Sequence, residues 1–316
     1  MRLVFMGTPQ FAVPILEQLI HSEYEIVAVY TAPDAPAGRG RNMSTSPVKR
    51  VAQAHNLRVE QPESLKAAEE IEKLARFRPD LIVVAAYGQI LRQSVLDIPS
   101  YGCLNAHPSL LPRHRGPAPV AYAILAGDEI TGTTIMVMDK GMDTGPILMQ
   151  REEVIYADDT TVTLESRLAK MSAHLMLETI PLWLQAGVTP QAQDNSKATY
   201  SRLIVKEDGN IDWQMSAEQI WRRVRAFQPW PNCYTYWQGK RLKILQTIPI
   251  GTAAGKPGRV VALSNDAATP VGIETAAGIL GLQQIQLEGK DAISSRDFVR
   301  GHRDFAGSVV STQQSQ

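Results

Sequence analysis

Asn105 and His107 stand with one alanine between them at the end of an apolar run, and the stretch that follows, HPSLLPRHRGPAP, is crowded with prolines, arginines and a second histidine. Downstream, MDKGMDTG sets Asp139 and Asp143 among glycines just past another apolar run. Each residue alone has an ordinary structural use: an asparagine or aspartate forms turns, and a histidine before a proline packs and bonds internally. Together they supply an amide donor, a group that titrates near neutrality and a carboxylate to orient it. Those are the parts needed to stabilise an oxyanion and move a proton during acyl transfer. The sequence has no GxSxG elbow and only two cysteines, Cys103 and Cys233, neither in a recognisable nucleophile setting. Direct transfer to an incoming amine therefore fits better than a covalent enzyme intermediate.

Bringing Asn105, His107 and Asp143 together requires a scaffold, and the hydrophobic pattern predicts one. Strands are expected at 2–6, 26–30, 80–87, 102–105 and 133–138, alternating with helices at 11–20, 48–55, 67–77, 119–126 and 160–185. The run DLIVVAAY has almost no polar alternation, which indicates a sheet covered on both faces. This is a doubly wound, Rossmann-like α/β domain, whose ligands sit at the carboxyl ends of the strands. If the strands ending at Asn105 and Met138 are neighbours, their following loops converge at that edge. In the first turn, GTPQF, Thr8 is placed to cap a helix that Pro9 begins. Beyond Gly187 the chain turns polar and rich in turn residues, as a linker does, before a helix at 217–226 and short strands at 233–237, 242–245, 259–263, 271–274 and 279–286. Five short strands suggest a small β-barrel, the OB type first among the choices. The expected division is 1–187 for the α/β domain, 188–205 for the linker, 206–307 for the barrel and 308–316 for a frayed polar tail.

The composition narrows the function further. With 32 basic and 32 acidic residues, a nucleic-acid partner has to be met by a local basic surface. One lies in the long insertion 34–49, which carries Arg39, Arg41 and Lys49 among glycines and prolines. A second is expected where Arg222, Arg223, Arg225, Lys240, Arg241 and Lys243 interleave with Trp221, Phe227, Trp230 and Trp237. GTPQF lacks the spaced glycines of a dinucleotide site, and no GxxxxGK[ST] run occurs, so no nicotinamide or flavin cofactor is expected. The cysteine count argues against a disulfide scaffold and a cysteine metal site, so no metal is expected either. The apolar start is too short for a signal peptide or a membrane span, which points to a cytoplasmic protein without a membrane partner, expected as a monomer.

The order Asn105-x-His107, SLLP, RHRGPAP and MDTG resembles the pattern of the 10-formyltetrahydrofolate-dependent formyltransferases. The resemblance implies 10-formyltetrahydrofolate as cosubstrate and Asn105, His107 and Asp143 as the catalytic trio. It also implies a folate wall from Ser109, Leu110, Leu111 and Pro112, with the pterin along Tyr87, Gly88, Ile90, Leu91 and Asp139. Three more segments, FMGTPQFAVPIL at 5–16, TAPDAPAGRGRNMSTSPVK at 31–49 and RAFQPWP at 225–231, are similar to the members of that family that act on initiator methionyl-tRNA. On that resemblance Arg39, Arg41 and Lys49 meet the tRNA acceptor end, Arg39 foremost. Relatives that formylate amino-sugar nucleotides or ribonucleotides would keep the same trio without needing the basic insertion. An RNA-binding protein without catalysis would have no reason to assemble the trio.

Overall fold

A computed structural model of the chain describes residues 1–37, 42–253, 255–263 and 268–313. The chain forms two compact units: Met1–Pro119, Ile130–Val154 and Leu164–Ser201 make the first, and Val120–Glu129, Ile155–Thr163 and Arg202–Gln316 the second.

The first unit is built on a seven-stranded sheet. In chain order the elements up to Leu184 are β1 (Arg2–Gly7), α1 (Val13–Ile20), β2 (Glu25–Tyr30), β3 (Ala35–Ala37), β4 (Asn42–Ser44), α2 (Pro47–Ala54), β5 (Val59–Glu60), α3 (Ala68–Arg76), β6 (Leu81–Ala85), α4 (Gln93–Leu96), β7 (Cys103–His107), α5 (Pro119–Ala126), β8 (Ile130–Val137), β9 (Ile147–Val154) and α6 (Thr161–Leu184), of which α5 belongs to the second unit. The strand order is β5-β2-β1-β6-β7-β8-β9, with β3 and β4 as a separate antiparallel hairpin inside the basic insertion. From β5 to β7 the strands are parallel. Every residue of β6 and β7 is buried, as their unbroken apolar runs require of strands covered on both faces. The chain winds outward from β1 in both directions, so the loops after β1 and β6 part at the switch point where such sheets bind ligands.

Thr8 does something other than the capping expected of it. Its hydroxyl donates to the Tyr87 carbonyl at 3.0 Å and accepts from the Ala32 amide at 3.2 Å, tying together the loops that leave β1, β6 and β2. The helix expected at 11–20 opens with a 3-10 turn, Gln10–Ala12, and the proline in the first turn of α1 is Pro14, a place where its missing N–H costs nothing.

The second unit contains α7 (Ala217–Ala226), β10 (Cys233–Trp237), β11 (Lys240–Ile250), β12 (Val260–Ala262), β13 (Val271–Glu274), β14 (Ile279–Leu287), β15 (Ile293–Ser294) and α8 (Ser295–Gly301). Ser216 caps α7 reciprocally: its hydroxyl accepts from the Gln219 amide, and the Gln219 side chain accepts from the Ser216 amide. The expected barrel is an antiparallel half-barrel in the order β10-β11-β14-β13-β12, with β15 beside β14. The tail expected to fray at 308 is instead part of it. Val260 N–H donates to Ser308 O and Val310 N–H to Gly258 O, both at 2.9 Å, while Ser311 and Tyr236 exchange two backbone bonds at 2.9 and 3.0 Å. Residues 308–311 thus pair with both edges of the sheet, and Val310 is buried. The reason is the hydrogen-bonding demand of two open strand edges, which a polar segment can meet as well as an apolar one.

Candidate active site

Asn105 and His107 lie two residues apart on β7, so the pleat puts their side chains on one face. Both are almost wholly buried, 8% and 5% exposed. His107 Nε2 lies 3.0 Å from the His114 carbonyl oxygen. A carbonyl only accepts, so Nε2 carries the proton in that bond and Nδ1 is the nitrogen left for chemistry. Nδ1 is 3.7 Å from Asp143 Oδ2, beyond hydrogen-bond length but within ion-pair distance once the ring is protonated. The same Oδ2 accepts the Gly116 amide at 2.7 Å, which aims the carboxylate. The structure therefore brings His107 and Asp143 together.

The route by which Asp143 arrives differs from the one expected. β8 runs antiparallel to β7, with Leu104 opposite Val137 and His107 opposite Thr134, so β8 ends at the start of β7 rather than beside its carboxyl end. Met138 N–H bonds to Cys103 O at 2.8 Å, and the chain then folds back along β7 until Asp143, in the left-handed region at φ +54°, reaches His107. Asp139 stays within this turn, accepting from the Gly141 amide and the Thr144 hydroxyl. Gly145 is required here: a Cβ would lie 1.8 Å from Val137 O.

The SLLP turn packs onto the sheet. Ser109 is fully buried and its hydroxyl donates to Arg113 O at 2.6 Å. Thr134 Oγ1 donates to Ser109 O and accepts from the Leu111 amide, while Gln150 Nε2 donates to Leu111 O and to Thr134 Oγ1. Leu111 is buried, the Leu111–Pro112 bond is cis, and Leu110 packs where a side chain on Gly132 would stand. The parallel register sets Val84 beside Asn105, so the loop after β6 leaves the sheet next to the site. Within it Tyr87 and Leu91 belong to the core, and burial, helped by Glu70, pushes the Tyr87 hydroxyl well above its ordinary pKa. Gly88 and Ile90 point outward: a Cβ on Gly88 would meet nothing within 4 Å, and Ile90 is 77% exposed. Met142, in the Asp143 turn, is a second exposed apolar side chain.

Of the expected RNA contacts, Arg39 and Arg41 lie outside the described residues. Lys49 is engaged at the base of the hairpin, its Nζ 2.5 Å from Asp34 Oδ2, with Gln61 donating to the other carboxylate oxygen at 3.0 Å. These hydrogen bonds, Lys49's first and Gln61's next, hold the Asp34 carboxyl below its usual range. In the second unit much of the expected basic face is spent on structure. Arg222 bonds Ala126 O and Glu218, Arg223 bonds Asp208 O and lies over Phe227, and Arg225 is buried against Trp221, 3.8 Å from its ring centroid. Arg241 stacks on Tyr234. Trp230 is exposed.

The sequence reading did not find the groups that orient His107 and Asp143, namely the His114 carbonyl and the Gly116 amide, nor Thr134 and Gln150, which hold the SLLP turn, nor Gln193, which donates to the Asp143 carbonyl. Two are backbone atoms, whose identity no side chain reports, and Gln193 sits in the segment expected to be a linker.

The formyl transferase family profile matches residues 1–180, and the profile of the formyl transferase C-terminal domain matches residues 203–303. The methionyl-tRNA formyltransferase of Dehalococcoides mccartyi is 47% identical over 307 residues, covering 97% of this chain and 96% of its own. Among solved structures, an N-formyltransferase from Helicobacter canadensis in complex with folinic acid and dTDP-3-aminofucose superposes with a TM-score of 0.62 at 18% identity, covering 89% of this chain and 98% of its own. HypX from Aquifex aeolicus in complex with tetrahydrofolic acid gives 0.59 at 19%, over 95% of this chain and 47% of its own.

Proposed function

The chain belongs to the formyl transferase family, and from that premise we propose that it transfers the formyl group of 10-formyltetrahydrofolate to the α-amino group of methionine esterified on initiator tRNA. The observation that carries the chemistry is His107, buried with Asn105 on one face of β7 and opposite the partly buried Asp143 carboxylate, with the imidazole held so that Nδ1 faces the site. The full-length likeness to a methionyl-tRNA formyltransferase at 47% identity supports the acceptor.

A free α-amine has a pKa of about 7.7–8, so a useful fraction is neutral and nucleophilic at physiological pH. It attacks the formyl carbon, and the C=O pair moves onto oxygen as the new C–N bond forms; the pair then returns to restore C=O as the bond to folate N10 breaks. The amine loses one proton and tetrahydrofolate leaves with a proton on N10. Asn105 donates to the developing oxyanion. His107 offers Nδ1, which faces the Asp143 carboxylate, as a donor when the ring is protonated and as the acceptor for a proton when it is neutral. Exposed Ile90 and open Gly88, on the loop beside Asn105, offer an apolar ledge for the pterin, and Met142 offers another from the Asp143 turn. Ser109 and Leu111 support that wall from inside.

In this reading Arg39 and Arg41 meet the RNA acceptor end, and Lys49, paired with Asp34, serves the same contact by fixing the base of the hairpin. Among the described residues no helix is long and apolar enough to cross a membrane. We place the reaction in the cytoplasm, carried out by a monomer. The test is formyl incorporation from 10-formyltetrahydrofolate into charged initiator tRNA, set against uncharged tRNA, free methionine and an amino-sugar nucleotide. Product on charged tRNA alone is expected, whereas product on the sugar nucleotide alone would overturn the acceptor and keep the chemistry.

A further inference from the structure

Arg115 is 1% exposed, and its guanidinium is held by neutral groups: Nε and Nη2 donate to Gln193 Oε1 at 3.1 and 2.7 Å, Nη2 to Asn195 Oδ1 at 2.8 Å and Nη1 to the Tyr200 hydroxyl at 3.2 Å. Those bonds fix which end of the Gln193 amide is oxygen, since a guanidinium only donates. The nitrogen end is then committed as well, and Nε2 donates to Asp143 O at 2.8 Å and to Gly145 O at 2.7 Å. Backbone pairing runs alongside. Gln191 exchanges two bonds of 2.8 Å with Ile147, Arg115 N–H donates to Thr199 O, and Ser201 N–H donates to Arg115 O.

Residues 191–201, read in the sequence as a passive linker, therefore stitch two loops together. One loop supplies His114 O and Gly116 N–H, which orient His107 and the Asp143 carboxylate; the other carries Asp143 itself. Asp143 stands at φ +54°, in a left-handed region that aspartate adopts more readily than most residues, and the two bonds from Gln193 hold the backbone there. We propose that Gln193 is a positioning residue for the transfer reaction: braced by buried Arg115, it clamps the backbone on both sides of Thr144 and so keeps the Asp143 carboxylate on Gly116 N–H and opposite His107 Nδ1.

This rests on the formyl-transfer reading of the site, and its test has a readout that does not need activity. Gln193→Ala removes the clamp. Gln193→Glu removes the two N–H donors but keeps Arg115 paired, so it serves as the variant that retains the fold if the alanine does not. In either, kcat for formylation should fall on the order of tenfold or more, as expected for a displaced catalytic group, with KM for tRNA and folate unchanged. The Gly116 amide, protected from hydrogen exchange by the carboxylate in the wild type, should shift in the NMR spectrum and exchange faster. A folded variant with wild-type kcat and an unmoved Gly116 amide overturns the proposal, as does a rise in KM with kcat preserved. A wild-type chain that shows the Gly116 protection but formylates no acceptor sinks the functional reading and leaves the clamp standing.

Discussion

His107 has spent its Nε2 proton on a backbone carbonyl, so whatever it does for the substrate it does through Nδ1. Replacing His107 or Asn105 by alanine should lower kcat/KM by about 10²–10³-fold, the usual loss for one donor to a developing oxyanion, with tRNA binding nearly unchanged. Steady-state kinetics beside a filter-binding titration checks this, and wild-type turnover in either variant would remove that residue from the mechanism. Asp143→Asn is the sharper probe. Asparagine tolerates the left-handed backbone and its amide oxygen can still accept from Gly116, so the fold should hold while the charge opposite Nδ1 disappears. Turnover should drop on the order of tenfold or more with an unchanged melting temperature. At this scale what could be read in the sequence was a conjunction: Asn105, His107 and Asp143 each have an ordinary structural use alone, and only their occurrence together, in that order, pointed to a site. The sequence was silent on their orientation, because a carbonyl and an amide do the orienting.

β8 turns antiparallel, and this single reversal is what the alternation of strands and helices could not disclose, since a strand's direction is set by its connections and leaves no periodicity. β9 was missed for a related reason. As an edge strand it exposes most of its residues, so ILMQREEV shows neither a clean alternation nor an apolar run. By contrast β6 was plain from its unbroken apolar run, and the helix expected at 217–226 is α7. The β8–β9 pairing holds the SLLP turn through Gly132, where a Cβ would lie 2.1 Å from Arg151 O and 2.6 Å from Leu110 Cδ2. Gly132→Ala should cost about 1–3 kcal/mol, as overpacking does, and should lower turnover through the displaced turn; thermal melts and kinetics on one preparation would show both. The opposite edge gives a pH prediction. Burial raises the pKa of Glu60 on β5, but the bonds from Lys73 on α3 and from Arg58 outweigh it, and the net shift is downward. A depressed carboxylate stabilises the fold above its unfolded pKa, about 4.3, and that contribution is lost as pH falls through the folded value. Melting temperatures recorded from pH 7 down to 3 should therefore fall less steeply for Glu60→Gln than for the wild type, and parallel curves would show that the pair contributes nothing.

Across the whole molecule, the half-barrel depends on a segment whose composition hid its role. Ending the chain after Gly307 removes the backbone bonds to both edges, each worth about 0.5–1.5 kcal/mol, and should make the second unit melt first in calorimetry. Ending it after Gln313 keeps those bonds and serves as the control. The two units also carry one thiol apiece, Cys103 on β7 and Cys233 on β10, both buried and both pushed up to about 12, by burial in each case. At pH 7 such a group is ionised in only about one molecule in 10⁵, and a reagent has to enter the core to find it. The native protein should accordingly ignore iodoacetamide and dilute peroxide, and each thiol should become reactive only when its own unit opens. Mass-spectrometric labelling of the two cysteine peptides over time would then read two opening rates from one unmodified sample, a pair of internal clocks that needs no added probe.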